Sequence, residues 1–580
     1  MMPDRPDMAA ALAAPPLTNL TRFGGEMFNW SDTRGRRNAL LTHLIVELGG
    51  PGRTVLVAGP HPDEVVAALA AGGAEVTWLL RSLADAEQAA RTHPTISVLA
   101  GAFGKVDLTT GFDLVVAADG IQRLNSAEGD QLSAGELLDR LAQAVRPDGA
   151  LVLMHDNQLG AHHTVRLEPG RRQRDDAAWY PSDGQVADNP AAREQLTARL
   201  TEAGLVVDVA YAAFPEPATP AVLIGGDALG DVASPLRPWL QSVLEQAYTT
   251  AFRNRPVLSD PRRLVGRALR AGAEDTVAGG WLVIARAPGD VPAARTTWHD
   301  VLVGDVHGAF TYTVTADGPK VLVPHDGPME REGLRRLDVP VAPHTGGYLL
   351  EQRLLELCAA ADVRRLRQEI AQYESWLATH ARDGLVDGPV ALADLSGVAI
   401  TPAGPTVLAA RWEPVEAVPV EIVLVRALWQ FAVRLITWGR PHPWPVTASA
   451  ADLAAILVGM AGRSLADEEL RAAIDLQVVL DGAEFGLTQG ERQAHKLALL
   501  AVQPGTAPLD VAGYEELTEA LWRQRYQASH LLAMMEWTEQ IIRSRDSALS
   551  KMDFELQLLR RSWSGRGLML AKKAYKKVRK

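Results

Sequence analysis

Three side chains that can take up a proton stand directly after an apolar stretch of this sequence. The stretch is 150–154, and His155, Asp156 and His162 follow it. An imidazole or a carboxylate can act as a general base toward a hydroxyl group if it faces a bound substrate. A solvated loop would hold the same residues without a catalytic role, and the sequence leaves that alternative open. No cysteine or histidine spacing indicates a metal site, so no metal ligand is predicted.

The elements that would position these residues alternate between apolar strands and amphipathic helices. Strands that are apolar throughout and separated by helices indicate a parallel sheet covered on both faces. Ligands of such sheets bind beyond the carboxyl ends of the strands. The sequence therefore predicts an α/β, Rossmann-like domain whose site lies where the strands end. The predicted strands are 55–58, 75–80, 96–99, 112–120 and 150–154.

Two of these segments are similar to those of a known enzyme family. The stretch FDLVVAADGIQRL from Phe112 and the stretch VRPDGALVL from Val145 resemble the class I S-adenosylmethionine (SAM)-dependent methyltransferases. The box Asp156–Gly160 and the segment Tyr211–Ile224 further resemble surface-polysaccharide (O-antigen-type) methyltransferases that carry a kinase-like module and a coiled coil. The resemblance implies SAM as the cofactor and a glycan or lipid-linked saccharide as the acceptor.

The resemblance also assigns the cofactor contacts to the ends of the first four strands. These contacts would be Ala58, Gly59, His61, Leu80, Arg81, Ala102, Phe103 and Asp119. The turn holds one glycine where several are usual, and Leu80-Arg81 stands where a carboxylate normally holds the ribose. Ala102-Phe103 stands where an acidic residue normally meets adenine. A fold that persists without catalysis is therefore a second interpretation.

The segment 297–508 resembles the kinase-like module of the same enzymes. It would begin with short strands, continue with a long helix over 348–379 and end in helices rich in tryptophan and leucine. The positions that match the magnesium ligands hold Gly397 and the pair Ala409-Ala410. Without such ligands, nothing neutralises the charge of a transferred phosphate. We therefore expect a degenerate kinase-like module that transfers no phosphate.

Composition limits the class of protein. The chain has 580 residues, of which 47% are apolar and 22% charged, as expected for two or three domains with cores of their own. Its single cysteine, Cys358, excludes an intrachain disulfide and is typical of the reducing cytoplasm. No apolar stretch is long enough to span a membrane. Residues 1–30 are expected to form a disordered, proline-rich lead instead of a signal peptide.

The end of the chain combines an apolar seam with positive charge. Between Met535 and Trp563, nine positions are spaced three and four residues apart, and seven of them are apolar, which favours a coiled coil. Residues 543–580 carry a net charge of +9, whereas the whole chain carries −12. Such a basic end can lie on an anionic membrane leaflet. A helix packed on its own domain and a solubilising tail are the alternatives. No groove-reading motif indicates a nucleic-acid partner.

Together these observations predict a domain plan and a function. The first region is a disordered lead and the second is methyltransferase-like. A degenerate kinase-like domain, a helical coiled-coil segment and a basic tail that associates with the membrane follow. The predicted limits are 1–30, 31–290, 297–508, 510–563 and 564–580. The predicted function is a SAM-dependent O-methyltransferase of a cell-surface polysaccharide or its lipid-linked precursor. It would be a homo-oligomer, cytoplasmic and peripheral to the inner face of the plasma membrane. The alternative is a catalytically silent scaffold for glycan-assembly enzymes.

Overall fold

The structure is a computed structural model, and it describes most of the chain. Described residues up to 504 belong to one compact unit, and 511–578 belong to a second. Ala409 and residues 1–16, on which some of the predictions fall, lie outside the described residues. The described ranges are 17–28, 30–32, 38–108, 110–165, 188–226, 237–252, 255, 257–289, 298, 300–304, 309–315, 318–322, 329–337, 347–408, 410–502, 504 and 511–578.

A twelve-stranded sheet organises the first unit. Its strands lie side by side in the order β1-β4-β3-β2-β5-β6-β9-β7-β8-β10-β11-β12. The first six of these are mutually parallel, and every later neighbour is antiparallel. The prediction of a parallel-rich α/β fold is confirmed. The strands are β1 (Leu20–Gly24), β2 (Thr54–Ala58), β3 (Glu75–Leu80), β4 (Ser97–Gly101), β5 (Phe112–Ala117), β6 (Val145–Asp156), β7 (Val206–Phe214), β8 (Val222–Gly225), β9 (Gly280–Arg286), β10 (Val301–Gly304), β11 (Ala309–Thr315) and β12 (Gly318–Leu322).

Helices cover both faces of the parallel half. In β2, Val57 packs into the core under one helix layer and Leu56 into the core under the other, and both are fully buried. Two buried faces explain why this strand is apolar at every position after Thr54. One layer holds α1 (Ala39–Leu48), α2 (Asp63–Ala71) and α3 (Leu83–Thr92), and the other holds α4 (Ala134–Ala144) and α6 (Arg193–Glu202). The short α5 (Ala161–Thr164) follows β6.

The strand order reverses between β2 and β5. From β2 the chain proceeds outward to β3 and β4, and then returns to place β5 and β6 on the other side of β2. In an open parallel sheet the crevice for a ligand forms at this reversal, beyond the carboxyl ends of the strands. The residues that follow β2 and β5 are therefore the first to inspect for a site.

The strand β1 corrects the expectation of a disordered lead. Leu20 lies opposite Val98 in a parallel pairing with β4. The Asn19 side-chain amide donates to three backbone carbonyls of the neighbouring loop, at 3.1–3.2 Å. The chain then passes over the sheet edge, where Met27 forms a bridge with Ser82 after β3. Residues 17–28 are ordered because they pair with this edge, a contact that composition does not reveal.

The strands β10 to β12 extend the same sheet. Val303 of β10 lies opposite Val222 of β8, so the sheet continues across the predicted limits at 290 and 297. The sequence analysis places these three strands in the predicted kinase-like domain, 297–508. The domain limits themselves stay a prediction.

The rest of the first unit is mostly helical. The long helix predicted over 348–379 is two helices, because Ala361 adopts a positive φ of 53° between them. The helices are α7 (Arg237–Ala251), α8 (Pro261–Ala271), α9 (Leu350–Ala359), α10 (Val363–His380), α11 (Val420–Thr437), α12 (Ala450–Met460), α13 (Asp467–Phe485) and α14 (Gln489–Leu500). Three small antiparallel sheets join them: β13 (Glu330–Arg331) with β14 (Leu334–Arg336) and β20 (Trp412–Pro414); β15 (Tyr348–Leu349) with β18 (Val398–Thr401) and β19 (Gly404–Val407); and β16 (Ala381–Arg382) with β17 (Leu385–Val386) and β21 (Val418–Pro419).

The second unit consists of two helices, α15 (Val511–Arg561) and α16 (Trp563–Val578). Helix α15 is 51 residues long. Several of its large apolar side chains are exposed, and Leu549 retains 62% of its accessible surface. None of the described helices combines the length and the apolar character that crossing a membrane requires. The coiled coil stays a prediction.

Candidate functional site

The turn after β2 keeps a glycine-dependent shape. Gly59 has a φ of +99°, in the region that glycine adopts without strain. A Cβ at Gly59 would lie 3.7 Å from Oδ2 of Asp119 and 3.7 Å from Cδ2 of Leu124, at ordinary contact distance. Gly59 follows β2 and Asp119 follows β5. The two residues therefore meet at the reversal of strand order.

His61 occupies the far side of this turn. Its Nδ1 lies 3.1 Å from the carbonyl oxygen of Gly59, and its Nε2 accepts the backbone N–H of Ala118 at 3.1 Å. Because Nε2 is the acceptor, the proton belongs on Nδ1, which donates to Gly59. Burial lowers the pKa of His61, and the nearby Asp119 only partly offsets this. His61 is therefore a neutral ring that closes the turn.

Asp119 already has a cationic partner. Arg123, four residues later in the loop after β5, donates its Nε–H to Oδ2 of Asp119 at 2.8 Å, and its Nη2 contacts Oδ1. Burial raises the pKa of Asp119, and Arg123 opposes that rise. A cationic ligand group at this position would compete with Arg123 for the carboxylate.

The end of β3 holds a buried ion pair in place of a free carboxylate. Nη2 of Arg81 lies 2.6 Å from Oδ1 of Asp32, Nε lies 2.9 Å from Oδ2, and both side chains are 1% exposed. Arg81 also donates to the carbonyl of Asn125 at 3.0 Å and lies over the ring of Trp30. Two parallel N–H···O bonds give a strong and directional clamp. The clamp holds residues 30–32 against the end of β3, next to the buried Leu80.

The end of β4 is packed by glycines from two other segments. A Cβ at Gly25 or Gly129 would lie 2.8 or 2.7 Å from the Cβ of Ala102, closer than real side chains approach. Phe103 is fully buried, and the guanidinium of Arg140 lies 5.7 Å from its ring centroid. The position that the resemblance assigns to adenine is therefore lined closely by the chain itself.

An acid–histidine cluster, Asp156 with His162 and His163, lies at the carboxyl end of β6. Nε2 of His162 is 3.1 Å from Oδ1 of Asp156, and Nε2 of His163 is 2.9 Å from Oδ2. Burial alone would raise the pKa of Asp156, but the two histidines hold it well below its usual range. The three ligand atoms lie within 4.8 Å of one another, a donor set that a divalent metal could accept. The same two histidine–carboxylate contacts are also ordinary hydrogen bonds, which form without an ion.

His155 points away from this cluster. Its Nε2 is 2.8 Å from the carbonyl oxygen of Pro190, its ring stacks on Trp281, and it is fully buried. Burial lowers the pKa of His155, so the ring is neutral. These contacts give His155 a packing role in the sheet. Of the predicted proton-accepting set, Asp156 and His162 remain together at the end of β6, with Asp156 half-buried and His162 buried.

The predicted kinase-like loop is occupied by an ion pair. Asp394 accepts hydrogen bonds from the Ser396 hydroxyl at 2.7 Å and the Gly397 N–H at 2.9 Å, and Nη1 of Arg434 lies 3.0 Å away. Burial opposes ionisation, but Arg434 and these donors hold the pKa of Asp394 at about 2. The carboxylate thus anchors the loop to helix α11.

Four residues of these sites were missing from the sequence prediction. Arg123 could have been found, because it lies four residues after Asp119, the spacing of an intrahelical pair. His163 stands beside His162 and was a visible candidate. Asp32 and Trp30 carry no local signal, because they reach Arg81 from a segment 49 residues away.

As a SAM site, the strand ends fit the cofactor in part. The turn fits, because Gly59 presents bare backbone at the strand reversal and Asp119, paired with Arg123, places a carboxylate beside it. The ribose end does not fit, because no carboxylate ends β3 and Arg81 is bound to Asp32. Ala58 and Leu80 are buried in the two cores of the sheet and support the site from below.

Comparisons with known proteins give structural similarity alone. No protein-family model matches the chain, and no curated protein matches it. The [4+2]-cyclase SpnF is 14% identical, with a TM-score of 0.24, over 45% of this chain and 86% of its own. A SAM-dependent methyltransferase from Mesorhizobium loti is 15% identical, with a TM-score of 0.25, over 42% and 95%. The glycopeptide N-methyltransferase MtfA, complexed with sinefungin, is 18% identical, with a TM-score of 0.22, over 31% and 87%.

Proposed function

We propose that this chain is a SAM-dependent O-methyltransferase that acts on a surface polysaccharide or its lipid-linked precursor. The observation that supports the proposal is the meeting of Gly59 and Asp119 at the strand reversal, where a Cβ at Gly59 would lie 3.7 Å from Oδ2 of Asp119, with the acid–histidine cluster at the end of β6, the strand beside β5. Gly59 allows close approach to the backbone, and Asp119 offers negative charge to a cationic ligand. SAM, when bound, supplies an electrophilic methyl group.

The acid–histidine cluster supplies the base in this proposal. Asp156 accepts the Nε2–H of His162, which leaves the lone pair on Nδ1 of that ring. Nδ1 of His162 is buried and has no hydrogen-bond partner among the described residues. A carboxylate that fixes the tautomer of a histidine and stabilises its protonated form is a general arrangement for removing a proton from a hydroxyl. His162 would take the proton and Asp156 would orient the ring.

The silent-scaffold alternative is supported by a different observation. The Arg81–Asp32 pair fills the position of the ribose carboxylate with a complete internal interaction. Breaking such a pair to admit a ligand leaves buried charges without partners, which costs about 3–5 kcal/mol. A protein that had lost the cofactor would retain this pair without penalty.

Calorimetric titration of the full-length protein with SAM and with its demethylated product distinguishes the enzyme from the silent scaffold. Saturable heat supports the enzyme, and no heat and no melting shift at millimolar ligand supports the scaffold. Gly59→Trp should abolish binding by filling the turn. Gly204→Trp is the matched control, because Gly204 also has a positive φ (+91°) and lies in open space. Transfer of a radiolabelled methyl group to polysaccharide or to its lipid-linked precursor then identifies the acceptor.

We further propose that the second unit makes the protein an oligomer on the cytoplasmic face of the membrane. Exposed apolar side chains recur along α15, including Leu549, Met552, Leu556 and Leu559, each 47–62% exposed. A second helix would cover them, and the net +9 of 543–580 would be multiplied by the number of chains. Deleting 564–580 should release the protein from anionic vesicles. Deleting 535–580 should also reduce its mass by light scattering.

A further inference from the structure

A cavity of about 190 Å³ between helices α7, α8 and α9 is lined by five arginines. They are Arg262, Arg263, Arg267, Arg270 and Arg440, and we call the site the arginine pocket. It shares no lining residue with the strand-end site or with the acid–histidine cluster. A cavity with five guanidinium groups requires an explanation, because like charges at short range destabilise a fold.

Three of the arginines stand on one face of α8. Arg263, Arg267 and Arg270 are four and three residues apart, a spacing that aligns side chains along a helix. All three are exposed, and in the described part of the chain no carboxylate pairs with any of them. Their donors are therefore available to an anion that enters the cavity.

The other two arginines form a fixed inner wall. Nε of Arg262 lies 3.2 Å from Oδ1 of Asp260, and Nη2 of Arg440 lies 2.5 Å from Oδ2 of the same carboxylate. The Arg262 guanidinium also lies 4.2 Å from the ring centroid of Trp438. One carboxylate thus serves two cations. Nε of Arg440 is buried without a hydrogen-bond partner among the described residues.

The carboxylates of the pocket do not neutralise it. Glu245 and Glu356 also line the cavity, and Asp260 pairs with Arg262 and Arg440 behind it, which leaves a formal net charge of +2 when all three carboxylates are ionised. Burial, and next the charge of Glu351, raise the pKa of Glu245 to about 7. Near neutral pH a part of the Glu245 population is therefore protonated, and the pocket is then more positive still.

We propose that the arginine pocket binds a phosphoryl or diphosphate group of a ligand. Planar guanidinium groups match the oxygens of phosphate in paired hydrogen bonds, and Arg is the residue of choice for this recognition. A cavity of about 190 Å³ is far above the roughly 10–15 Å³ that one water molecule needs, so it has room for one or two phosphoryl groups. The remainder of the ligand extends into solvent past α8.

Titration of the full-length protein with sodium pyrophosphate at constant ionic strength tests the proposal. Constant ionic strength is needed because screening alone changes the apparent attraction. Wild-type protein should give saturable heat with one site per chain. The double variant Arg267→Gln/Arg270→Gln should bind at least about tenfold more weakly, since each lost charged hydrogen bond weakens binding by about that factor. Glu245→Gln should bind more tightly at about pH 8, because it removes a negative charge from the pocket.

The matched control is Arg364→Gln/Arg367→Gln, a pair of exposed arginines on α10 that lies outside the pocket. Control protein that binds like wild type supports the proposal. Equal losses in both double variants, or no saturable heat at millimolar pyrophosphate, overturn it. The substituted arginines are exposed and stand among other cations, so their loss should not lower the melting temperature. A lower melting temperature that accompanies lost binding also counts against the proposal.

A second arm distinguishes a lipid from a soluble ligand. Neutral phosphatidylcholine vesicles with and without a prenyl diphosphate lipid are incubated with wild type and with both double variants, all of which keep the basic tail. Diphosphate-dependent flotation that only the pocket variant loses identifies a lipid-borne group. Binding to soluble pyrophosphate with no such flotation identifies a soluble ligand. Methyl transfer does not enter either readout, so the outcome is independent of the proposed function.

Discussion

Replacing Glu245 by glutamine should stabilise the protein at alkaline pH and leave its stability unchanged in weak acid. Burial, followed by repulsion from Glu351, raises the pKa of Glu245 from 4.5 to about 7. Between these two values the carboxyl is protonated in the folded protein and ionised in the unfolded chain. Ionisation in the folded state opposes folding. Stability therefore falls as the pH rises from about 4.5 to about 7 and stays lower above that range.

The magnitude follows from the pKa. A rise of about 2.5 corresponds to about 3 kcal/mol at 1.36 kcal/mol per pKa unit. Five groups face Glu245, and Gln241 donates its Nε2–H to it at 2.8 Å. The others are Glu351, Arg262, Arg434 and Arg440. Glutamine retains the shape of the protonated acid and an oxygen that accepts the bond from Gln241. We expect Glu245→Gln to be about 2–3 kcal/mol more stable than wild type at about pH 8.5, and equal at about pH 4, below the range over which the stability of wild type changes.

Urea unfolding of full-length protein at these two pH values measures the difference. Comparing the variant with wild type at each pH removes the contribution of every other titrating group. A chain of two units need not unfold in one step, so the transition of the first unit is the one to compare. Glu356→Gln is the control, because Glu356 lines the same pocket and is exposed. A Glu245→Gln variant no more stable than wild type at about pH 8.5, or an equal gain from the control, would refute the reasoning.

Three further predictions follow from the strand ends and the long helix. Asp32→Asn should destabilise the first unit by about 3–5 kcal/mol in urea unfolding, because the buried Arg81 loses its carboxylate. A decrease in the free energy of unfolding below about 1 kcal/mol would contradict a buried ion pair. Asp156→Asn should abolish methyl transfer. It should also remove a stabilisation that wild type keeps at about pH 5 and loses only below the usual pKa range of a carboxyl, because the two histidines outweigh burial and lower the pKa of Asp156. An acid-unfolding profile that is the same in the variant and in wild type would argue against this. Leu549→Asp should reduce the sedimentation coefficient to that of a monomer, whereas an exposed polar change such as Ser550→Asp should not.

The parallel half of the sheet was predictable because its strands are buried on both faces. Val55, Leu56 and Val57 are all apolar for that reason, and so is the fully buried stretch 114–117 of the neighbouring β5. Strand β1 was not predictable, since LTRFG has only partial apolar character and its partner lies nearly eighty residues later. The break at Ala361 was missed because the apolar periodicity continues through it.

The site was predictable only where its residues follow strands in sequence. Gly59 and Asp119 could be placed at one edge, because parallel strands present their carboxyl ends together. The identity of their partners was not accessible. The position of His155 in the sequence predicts a general base, yet its ring is buried and contacts the carbonyl oxygen of Pro190. Local sequence reports which strand a residue follows, and tertiary packing decides what it touches.

The Arg81–Asp32 pair has a consequence for how this protein can change in evolution. Replacing only one of the two residues destabilises the fold, because the other would be a buried charge without its ion-pair partner. Replacing both by apolar residues of similar volume can be neutral or even stabilising. The two positions are therefore epistatic: a lineage can leave this arrangement in two coupled steps but meets a barrier at the first. A carboxylate could replace Arg81 at the end of β3 only together with a change in the segment that carries Asp32.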